Sequence, residues 1–453
     1  MIARRLSDVA ATVGGRVHGE DVTVTSVASD SRSAVPGSMF VALPGDRVDG
    51  HDFVAQAVAN GAAAALVARP VDGAPFVEVA DPGRALLTLA RDERDRTLET
   101  TVVGITGANG KTSTKDLTAA VLATRYRTHA SPASFNTEVG LPVTLLGAPE
   151  GTEVVVAEMG ARRLGDVALL CDVARPDVVV VTNVGVAHME IFGSWDAIVE
   201  ASAEPVEALD EGDVAILNGD DPVVRGYAER TRARVRWFGL GSDVDVGASA
   251  IEMDGDGRAR FVLEVDGEAE AVELAVPGEH MVANALAAAA VGSSLGLSPG
   301  ECAAALKGAR VSAWRMEAFT TPDGVRVVND AYNANPESMA AGLKAARWMA
   351  RDGRLVAVLG HMAELGPIAI DEHERLGELI VRVGVERLIT VGEAARLIHR
   401  AAVREGQHPD DAVDVETPQE ALEELRAWLR PGDVVLLKGS RVVGLERVAE
   451  ALR

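Results

Sequence analysis

The sequence predicts an α/β protein of three domains, and three observations support this. The chain has 453 residues, which corresponds to three domains of roughly 150 residues each. Short apolar runs alternate with helix-like segments, a pattern typical of parallel sheets covered by helices on both faces. The hydrophobic fraction is 47% and the charged fraction is 25%, as in ordinary globular proteins.

The first domain is predicted over residues 1–98. It combines short strands with one helix-like segment, from Phe53 to Ala64, and ends in a charged helix-like connector at residues 91–96. This composition indicates a small α/β domain.

The second domain is predicted over residues 99–310 and repeats a strand–loop–helix pattern. Its predicted elements are strands at 102–105, 154–158, 178–182 and 214–218, and a helix at 113–123. Residues 240–276 change to an alternating, acidic sequence with glycine-containing turns. This pattern predicts an antiparallel hairpin inserted into a parallel-sheet domain.

The third domain is predicted over residues 311–453. Its predicted strands are 325–329, 355–359, 388–391 and 434–438, with helices between them. This alternation predicts a second doubly wound, Rossmann-like sheet.

The most informative motif is GITGANGKT at residues 104–112, which lies between a predicted strand and a predicted helix. Ile105 occupies the position of the usual first glycine, so the motif is a G-x-x-G-x-x-G-K-T variant. A glycine loop before a helix binds phosphate through backbone amides, a lysine and a hydroxyl that reaches Mg²⁺. The predicted ATP-binding residues here are Gly107, Ala108, Asn109, Gly110, Lys111, Thr112 and Ser113.

Polar residues follow two other predicted strands of this domain. Glu158 ends one apolar run, and Asn183 and His188 follow another. Ligands of doubly wound sheets bind outside the carboxyl ends of the strands. We therefore predict that Glu158, as a ligand of Mg²⁺, and His188, as a ligand of metal or phosphate, converge with the phosphate loop.

His280 and Asn284 are four residues apart at the start of an alanine-rich helix. This spacing places both on one helix face, where they would contact a nucleobase or cap the helix. The spacing alone favours the cap.

Charge and cysteine content narrow the possible partners. The formal net charge of −24 argues against non-specific binding to nucleic acid or to anionic membranes. Cys171 and Cys302 are expected to be buried free thiols, as in a reducing compartment. With neither a signal-like segment nor a run of transmembrane length in the sequence, we expect a cytoplasmic protein without membrane insertion.

Taken in order, these motifs resemble the Mur ligase family, ATP-dependent amide-bond ligases of bacterial cell-wall precursors. The resemblance includes Glu158-Met-Gly, the run from Thr182 to His188, the run from Pro277 to Asn284, and Lys438-Gly-Ser-Arg. The segment 330–338 (DAYNANPES) resembles the branch that adds D-alanyl-D-alanine. Residues 30–32 (DSR) resemble the nucleotide-sugar domain of that branch.

The resemblance implies a reaction and its partners. ATP would phosphorylate the terminal carboxylate of UDP-N-acetylmuramoyl-tripeptide, and the amine of D-alanyl-D-alanine would attack the acyl phosphate. It implies a monomer that uses ATP and Mg²⁺. A ligase that adds the preceding amino acid, or a folate-type polyglutamate ligase, is an alternative that segment 330–338 and the N-terminal domain disfavour.

The resemblance also implies residue roles. Lys111, Glu158 and His188 would be catalytic, with Thr112, Glu158 and His188 as metal ligands. His280, Asn284, Arg315 and Asp330 would complete the ATP site. The implied substrate-binding residues are Ser31, Arg32, Asn136, Thr137, Asn333 and Asn335.

One position departs from the family pattern. Ser202 stands where most members carry a lysine that becomes carbamylated and helps to bind a second Mg²⁺. Three explanations are open: the second position is vacant or water-filled, Glu200 or Glu204 substitutes, or the chain is a slow or silent nucleotide-binding paralogue. We favour retained activity.

Overall fold

The computed structural model describes residues 1–45, 48–97 and 99–453. Within them lie a two-stranded ribbon and three larger sheets, of five, nine and six strands. The strands of these three sheets fall within the three predicted domains. The bounds themselves stay a prediction, and Leu98, at the end of the first, lies outside the described residues.

The first unit is a small, mostly parallel sheet with helices. Its elements are β1 (Arg4–Arg5), α1 (Leu6–Val13), β2 (Arg16–His18), β3 (Thr23–Val24), β4 (Ser26–Ala28), β5 (Ser38–Val41), α2 (Val54–Ala59), β6 (Ala64–Val67), β7 (Phe76–Glu78) and α3 (Pro82–Arg96). The strand order is β2-β7-β6-β5-β4, and only β2 runs antiparallel to its neighbour among these described strands.

The predicted helix from Phe53 to Ala64 is wrong in its second half. The α-helix ends at Ala59, and Gly61 turns the chain with φ +116°. Ala64 then begins β6, which lies between β5 and β7 and whose four side chains are fully buried. Alanine favours helices locally, but burial in the middle of a sheet overrides that preference here.

The central unit has one continuous sheet. Its elements are β8 (Thr101–Thr106), α4 (Lys111–Leu122), β9 (Thr128–Ala130), α5 (Gly140–Gly147), β10 (Val154–Glu158), α6 (Asp166–Ala174), β11 (Val178–Val181), α7 (Met189–Phe192), α8 (Trp195–Glu207), β12 (Val214–Asn218), α9 (Pro222–Gly226), β13 (Arg234–Phe238), β14 (Val246–Met253), β15 (Arg258–Val265), β16 (Glu268–Pro277), α10 (Met281–Ser294) and α11 (Pro299–Gly308). The order is β16-β15-β14-β13-β12-β11-β8-β10-β9.

The predicted insertion is antiparallel, but it is a three-stranded meander rather than a hairpin. β14, β15 and β16 pair antiparallel, and β14 joins the parallel strands through β13. The strand β8 lies between β10 and β11, so three apolar strands deliver their carboxyl ends side by side. This arrangement brings the predicted phosphate loop next to the residues that follow β10 and β11.

The third unit is the second doubly wound sheet that the sequence predicts. Its elements are β17 (Glu317–Thr320), β18 (Arg326–Asn329), α12 (Pro336–Ala350), β19 (Leu355–Gly360), α13 (Ala369–Val383), β20 (Arg387–Val391), α14 (Arg396–Glu405), β21 (Ala412–Val415), α15 (Pro418–Trp428), β22 (Val434–Lys438) and α16 (Glu446–Leu452). The order is β17-β18-β22-β19-β20-β21, and β17 pairs antiparallel with β18 at one edge.

The carboxyl edges of the central and third sheets meet. Asn335 follows β18 and hydrogen-bonds Asn109, which follows β8. Glu364 follows β19 and pairs with His188, which follows β11. The predicted site residues of both sheets therefore line one interdomain cleft.

Candidate active site

A glycine-containing loop joins β8 to α4 at the cleft. It spans residues 107–110, and α4 begins at Lys111. The loop is held by Asn183: the backbone N–H of Ala108 donates to its carbonyl at 3.0 Å, and the backbone N–H of Asn109 donates to its side-chain Oδ1 at 2.8 Å. The residue that follows β11 thus fixes the shape of the loop.

The first turn of α4 presents backbone amides to this loop. The first amides of a helix have no intrahelical acceptor, and the helix dipole favours an anion beside them. Gly110, with φ +81°, is the N-cap and has no side chain that could accept from these amides. The amides of residues 111–113 are therefore free to bind phosphate oxygens.

Two glycines of the loop are required by close packing. A Cβ on Gly107 would lie 2.1 Å from Thr182 Oγ1, and a Cβ on Gly110 would lie 2.4 Å from Asn284 Oδ1. Both glycines also have positive φ, +133° and +81°, which other residues rarely adopt. The glycine spacing of the motif follows from these two contacts.

Lys111 folds back over the loop. Its Nζ donates to the Gly107 carbonyl at 2.5 Å and to the Ala108 carbonyl at 3.3 Å. Burial lowers the pKa of Lys111 below its ordinary value, and the nearby Glu158 carboxylate partly opposes that effect. A polyphosphate bound to the loop would replace the two carbonyls as hydrogen-bond acceptors of Lys111 Nζ. Its negative charge would favour the protonated form of Lys111.

Thr112 and Glu158 form a buried pair of oxygen donors beside the loop. Thr112 Oγ1 donates to Glu158 Oε2 at 2.7 Å and lies 2.9 Å from Ser134 Oγ, while Asn136 Nδ2 donates to Glu158 Oε1 at 2.8 Å. Mg²⁺ prefers oxygen ligands and commonly takes only one or two carboxylates from the protein, the rest being phosphate oxygens and water. The donor set of Thr112 and Glu158 fits this ion.

His188 lies at the start of α7 with φ +60°, and its Nδ1 contacts the Glu364 carboxylate from the third domain. Burial is the main cause that lowers the pKa of His188; Glu364 acts in the opposite direction, and the Lys111 ammonium lowers it further. Residues 1–45, 48–97 and 99–453 contain no group of three or more His, Cys, Asp or Glu side chains arranged for a metal. Glu158 and His188 are therefore two separate candidate metal ligands, and they do not belong to a preformed cluster of such side chains among the described residues.

His280 and Asn284 lie at the start of α10, and Asn284 is close to Gly110 of the phosphate loop. His280 is exposed at the N-cap position of α10, but its side chain caps none of the described amides, so the cap favoured by spacing is wrong. Asn284 is 7% exposed and accepts from Thr114 Oγ1 at 3.2 Å. Contact of either residue with a nucleobase stays a prediction.

Arg315 reaches the central domain from the segment before β17. Its Nη2 donates to Ser134 Oγ at 3.1 Å, and its guanidinium lies over the Tyr332 ring at 4.2 Å. Trp314 and Met316, on either side of it, both have positive φ. Arg315 is thereby joined, through Ser134, to the Thr112–Glu158 pair.

Asp330 and the two predicted asparagines lie in the turn after β18. Lys438 Nζ donates to Asp330 Oδ2 at 2.6 Å and to the Asn333 carbonyl at 3.1 Å. Asn333 is exposed, whereas Asn335 Nδ2 donates to Asn109 Oδ1 at 2.7 Å. Asn335 thus links the third domain to the phosphate loop itself.

The remaining predicted substrate residues have local partners. Ser31 Oγ donates to Gln56 at 2.9 Å, and Arg32 forms an exposed ion pair with Asp30. Thr137 Oγ1 accepts a long contact of 3.4 Å from the backbone N–H of Gly140. The contacts of Ser31 and Arg32 lie within the first unit, so the structure does not join them to the phosphate loop.

Comparison with known proteins decides the family. The Mur ligase middle domain matches residues 105–292, the Mur ligase glutamate ligase domain matches 314–441, and the Mur ligase family catalytic domain matches 23–82. A UDP-N-acetylmuramoyl-tripeptide–D-alanyl-D-alanine ligase of Mycobacterium leprae is 45% identical, over 94% of this chain and 92% of the relative. The chain belongs to the Mur ligase family.

Solved structures of Mur ligases agree along nearly the whole chain. A crystal structure of MurF from Acinetobacter baumannii has a TM-score of 0.87 and 29% identity, covering 100% of this chain and 99% of that one. MurF from Thermotoga maritima in complex with ADP has a TM-score of 0.80 and 30% identity, covering 95% and 97%. The predicted three-domain α/β fold is confirmed, and this Mur ligase is an ATP-dependent enzyme that forms amide bonds.

In this Mur ligase, the carboxylates near Ser202 bear on the explanation that Glu200 or Glu204 substitutes for the lysine that most members carry there. The Glu204 carboxylate accepts from the backbone N–H groups of Gly165 and Ala168, at 2.5 and 2.8 Å, at the start of α6. The Glu200 carboxylate forms an ion pair with Arg230. The Glu204 carboxylate is therefore committed to the start of α6, which argues against its replacing a metal-binding group at position 202, whereas the exposed ion pair of Glu200 is a weak constraint.

Sequence reasoning missed several residues of the site. Ser134 joins Thr112 to Arg315, and Lys115, 2% exposed, donates to the Ser131 and Ala133 carbonyls at 2.7 and 2.9 Å. A charged residue one helical turn after Lys111 was a visible signal for Lys115. Ser134 gave none, because a serine in a loop is common.

Proposed function

We propose that this Mur ligase joins D-alanyl-D-alanine to UDP-N-acetylmuramoyl-tripeptide at the expense of ATP, through an acyl phosphate, to give the pentapeptide precursor of peptidoglycan. The observation that carries the proposal is similarity over the full chain. Curated relatives from Mycobacterium leprae to Escherichia coli, 45% and 33% identical, bear the name of that activity. The comparisons give no indication of a silent paralogue.

The chemistry requires two anions to approach each other, since a carboxylate attacks the terminal phosphate of ATP. Charge neutralisation and positioning are therefore expected to dominate catalysis. Lys111 and the amides of residues 111–113 would hold the phosphates. Thr112 and Glu158 would hold Mg²⁺, which neutralises phosphate charge when it is bound.

Residues from the third domain would complete the ATP site. Arg315 carries positive charge to the Thr112–Glu158 pair through Ser134, and Asp330 is oriented by Lys438. His188 would be a further metal or phosphate ligand, and His280 and Asn284 would contact the adenine. The proposed contacts to the peptide or nucleotide-sugar substrate are Ser31, Arg32, Asn136, Thr137, Asn333 and Asn335.

The deciding experiment measures phosphate release from ATP together with the mass of the product. Reactions contain the tripeptide substrate, ending in either diaminopimelate or lysine, and D-alanyl-D-alanine, with each component omitted in turn. The proposal requires release and pentapeptide only when all components are present, and loss of both when Mg²⁺ is chelated.

Nucleotide binding without product would instead support the silent paralogue. In that case Ser202→Lys, with bicarbonate in the buffer, is the next variant to test. A monomeric, cytoplasmic enzyme is part of the proposal, and sedimentation at working concentrations tests the monomer. Among the residues that the structure describes, no helix combines the length and apolar character needed to cross a bilayer.

A further inference from the structure

The turn after β19 has no role in the proposed reaction so far, yet it is docked firmly on the central domain. The backbone N–H of Glu190 donates to the Glu364 carbonyl at 3.0 Å. Gly366 packs so closely that a Cβ there would lie 2.9 Å from Glu190 Cα. Glu364 itself has φ +60°, a conformation that non-glycine residues adopt only when their surroundings impose it.

The third domain fixes the shape of this turn. The backbone N–H of Ala363 donates to Ser440 Oγ at 2.8 Å, and that of Met362 donates to His373 Nε2 at 3.0 Å. His373 is 2% exposed and is held in turn by the Ala369 carbonyl. The direction of the Glu364 side chain is therefore set within its own domain.

The Glu364 carboxylate binds two groups of the central domain at once. Oε2 contacts His188 Nδ1, and Oε1 accepts from Arg162 Nη2 at 2.9 Å. Arg162 is largely exposed, whereas the His188 side chain is 27% exposed and lies close enough to the Lys111 ammonium for that charge to lower its pKa. Because Arg162 is largely exposed, its ion pair contributes little to docking, and the contact with the less exposed His188 is the one that bears on the site.

We propose that Glu364 is a positioning residue that fixes the tautomer and the ring orientation of His188. When Nδ1–H donates to a carboxylate, Nε2 keeps its lone pair and is the ring nitrogen left for the nucleotide–metal complex. Because Glu364 belongs to the third domain, His188 is oriented only while the two domains are together. The inference rests on the proposed ligase function and assigns a further residue to the same reaction.

The test compares three variants of the full-length enzyme. Glu364→Asn tolerates the left-handed backbone but is too short to reach His188. Glu364→Gln keeps the length and a carbonyl acceptor. Arg162→Gln is the matched control, since it removes the docking ion pair and leaves the pair between Glu364 and His188 in place.

Three measurements are made on each protein: the kcat and KM of pentapeptide formation, Mn²⁺ affinity by electron paramagnetic resonance with ADP present, and the His188 tautomer by ¹⁵N NMR. We expect Glu364→Asn to lower kcat and Mn²⁺ affinity roughly 10- to 100-fold, as losses of such orienting groups do. The KM for the tripeptide should change little. Glu364→Gln should retain most of the Nδ1–H tautomer and part of the activity.

Each possible result separates the two proposals. If the unmodified enzyme makes no pentapeptide, the proposed function fails. If it makes pentapeptide and Glu364→Asn matches it in kcat and Mn²⁺ affinity, the positioning role is overturned. Equal losses in Arg162→Gln and Glu364→Asn would also overturn it, in favour of simple docking. The inference is also contradicted, without any variant, if ¹⁵N NMR of the unmodified enzyme with ADP bound shows that neutral His188 carries its proton on Nε2.

Discussion

Lys111 is the residue whose charge bears most directly on the proposed chemistry. Its ammonium donates to two loop carbonyls and lies near the Glu158 carboxylate. We expect Lys111→Ala to lower kcat by a factor on the order of 10² to 10³, because one preorganised electrostatic contact to the transition state is lost. Phosphate release in the presence of both substrates measures the effect, and unchanged product formation would refute the assignment of the loop.

Substitution of Gly110 tests whether close packing is required in the phosphate loop. A Cβ there meets Asn284 Oδ1 and must also adopt φ +81°. We expect Gly110→Ala to weaken ADP binding strongly, measured by calorimetry. Gly384→Ala is the matched control: its φ is +75°, and a Cβ there meets no described atom within 4 Å. The control should lose about 1–2 kcal/mol of stability from backbone strain and bind ADP normally; equal nucleotide binding by the two variants would contradict this account.

The two cysteines provide a prediction that is independent of the reaction. Burial raises the pKa of the Cys171 thiol to about 12 and that of Cys302 to about 11. A higher pKa means less thiolate, so at pH 8 Cys171 is ionised in roughly one molecule in ten thousand. We expect neither thiol to react with a disulfide reagent at pH 8 in the folded protein, and both to react after unfolding. Rapid reaction before unfolding would show that a cysteine is accessible.

Single residues also show what a sequence can reveal about a site. Lys111, Thr112 and Glu158 were predictable because local spacing places them at strand ends and at a helix start. The role proposed for Glu364 was not predictable in this way, since its partner His188 lies 176 positions earlier in the chain. Such pairing depends on how two domains meet, which no local pattern encodes.

At the scale of elements, α4 connects three parts of the site. Its residue Lys115 holds the loop of residues 131–136, which presents Ser134 and Asn136. The neighbouring Asp116 accepts from the backbone N–H and the hydroxyl of Ser312, at 2.6 and 2.8 Å, just before Arg315. The helix that carries the phosphate-binding lysine thereby also places the loop and the interdomain segment.

We expect Lys115→Met to destabilise the protein by about 3–5 kcal/mol, since it leaves the Asp116 carboxylate, 2.8 Å from Lys115 Nζ, and two carbonyls without their cation. Lys344→Met, an exposed lysine on α12, is the control and should change stability little. Denaturant unfolding followed by circular dichroism measures both. If the two variants unfolded at the same denaturant concentration, Lys115 would have no organising role.

Elements were predictable where burial and local pattern agree. β10, β12 and β22 match their predicted bounds because each is an apolar run closed by a polar residue. The second half of the predicted helix from Phe53 to Ala64 failed, because the chain turns at Gly61 and Ala64 already belongs to β6. The antiparallel insertion was recognised, but its third strand was not: residues 268–277 belong to the same alternating stretch, which was interpreted as a single hairpin, whereas the chain turns twice and forms three strands.

At the scale of the whole molecule, the third domain touches the central domain at several separate places. Trp348 Nε1 donates to the Asp254 carbonyl at 3.2 Å, and Arg326 Nη1 donates to the Gly255 carbonyl at 3.2 Å, both at the turn between β14 and β15. Asn335 adds the contact with Asn109 at the phosphate loop. The third domain therefore contacts both the insertion and the phosphate loop of the central domain.

The hydrogen bond between Asn335 and Asn109 can be removed without disturbing the third domain, to which Asn335 belongs. Its Oδ1 accepts from the Ser338 backbone N–H at 2.9 Å and caps α12, while its Nδ2 binds Asn109. Asn335→Ser keeps a good N-cap but cannot reach Asn109. One neutral hydrogen bond contributes about 0.5–1.5 kcal/mol. We therefore expect the closed arrangement, in which the third domain contacts the phosphate loop, to be favoured over an open one roughly 2- to 12-fold less in Asn335→Ser than in the unmodified enzyme.

Small-angle scattering with a non-hydrolysable ATP analogue measures the effect, since a larger open fraction raises the radius of gyration. Ser338→Ala is the control, because it removes the hydroxyl contact to the Asn335 backbone N–H and leaves the contact with Asn109 in place. We expect Asn335→Ser to raise the radius of gyration and the KM for ATP, with thermal stability close to that of the unmodified enzyme. If the scattering of Asn335→Ser and Ser338→Ala coincided, the contact between Asn335 and Asn109 would be a consequence of closure rather than one of its causes.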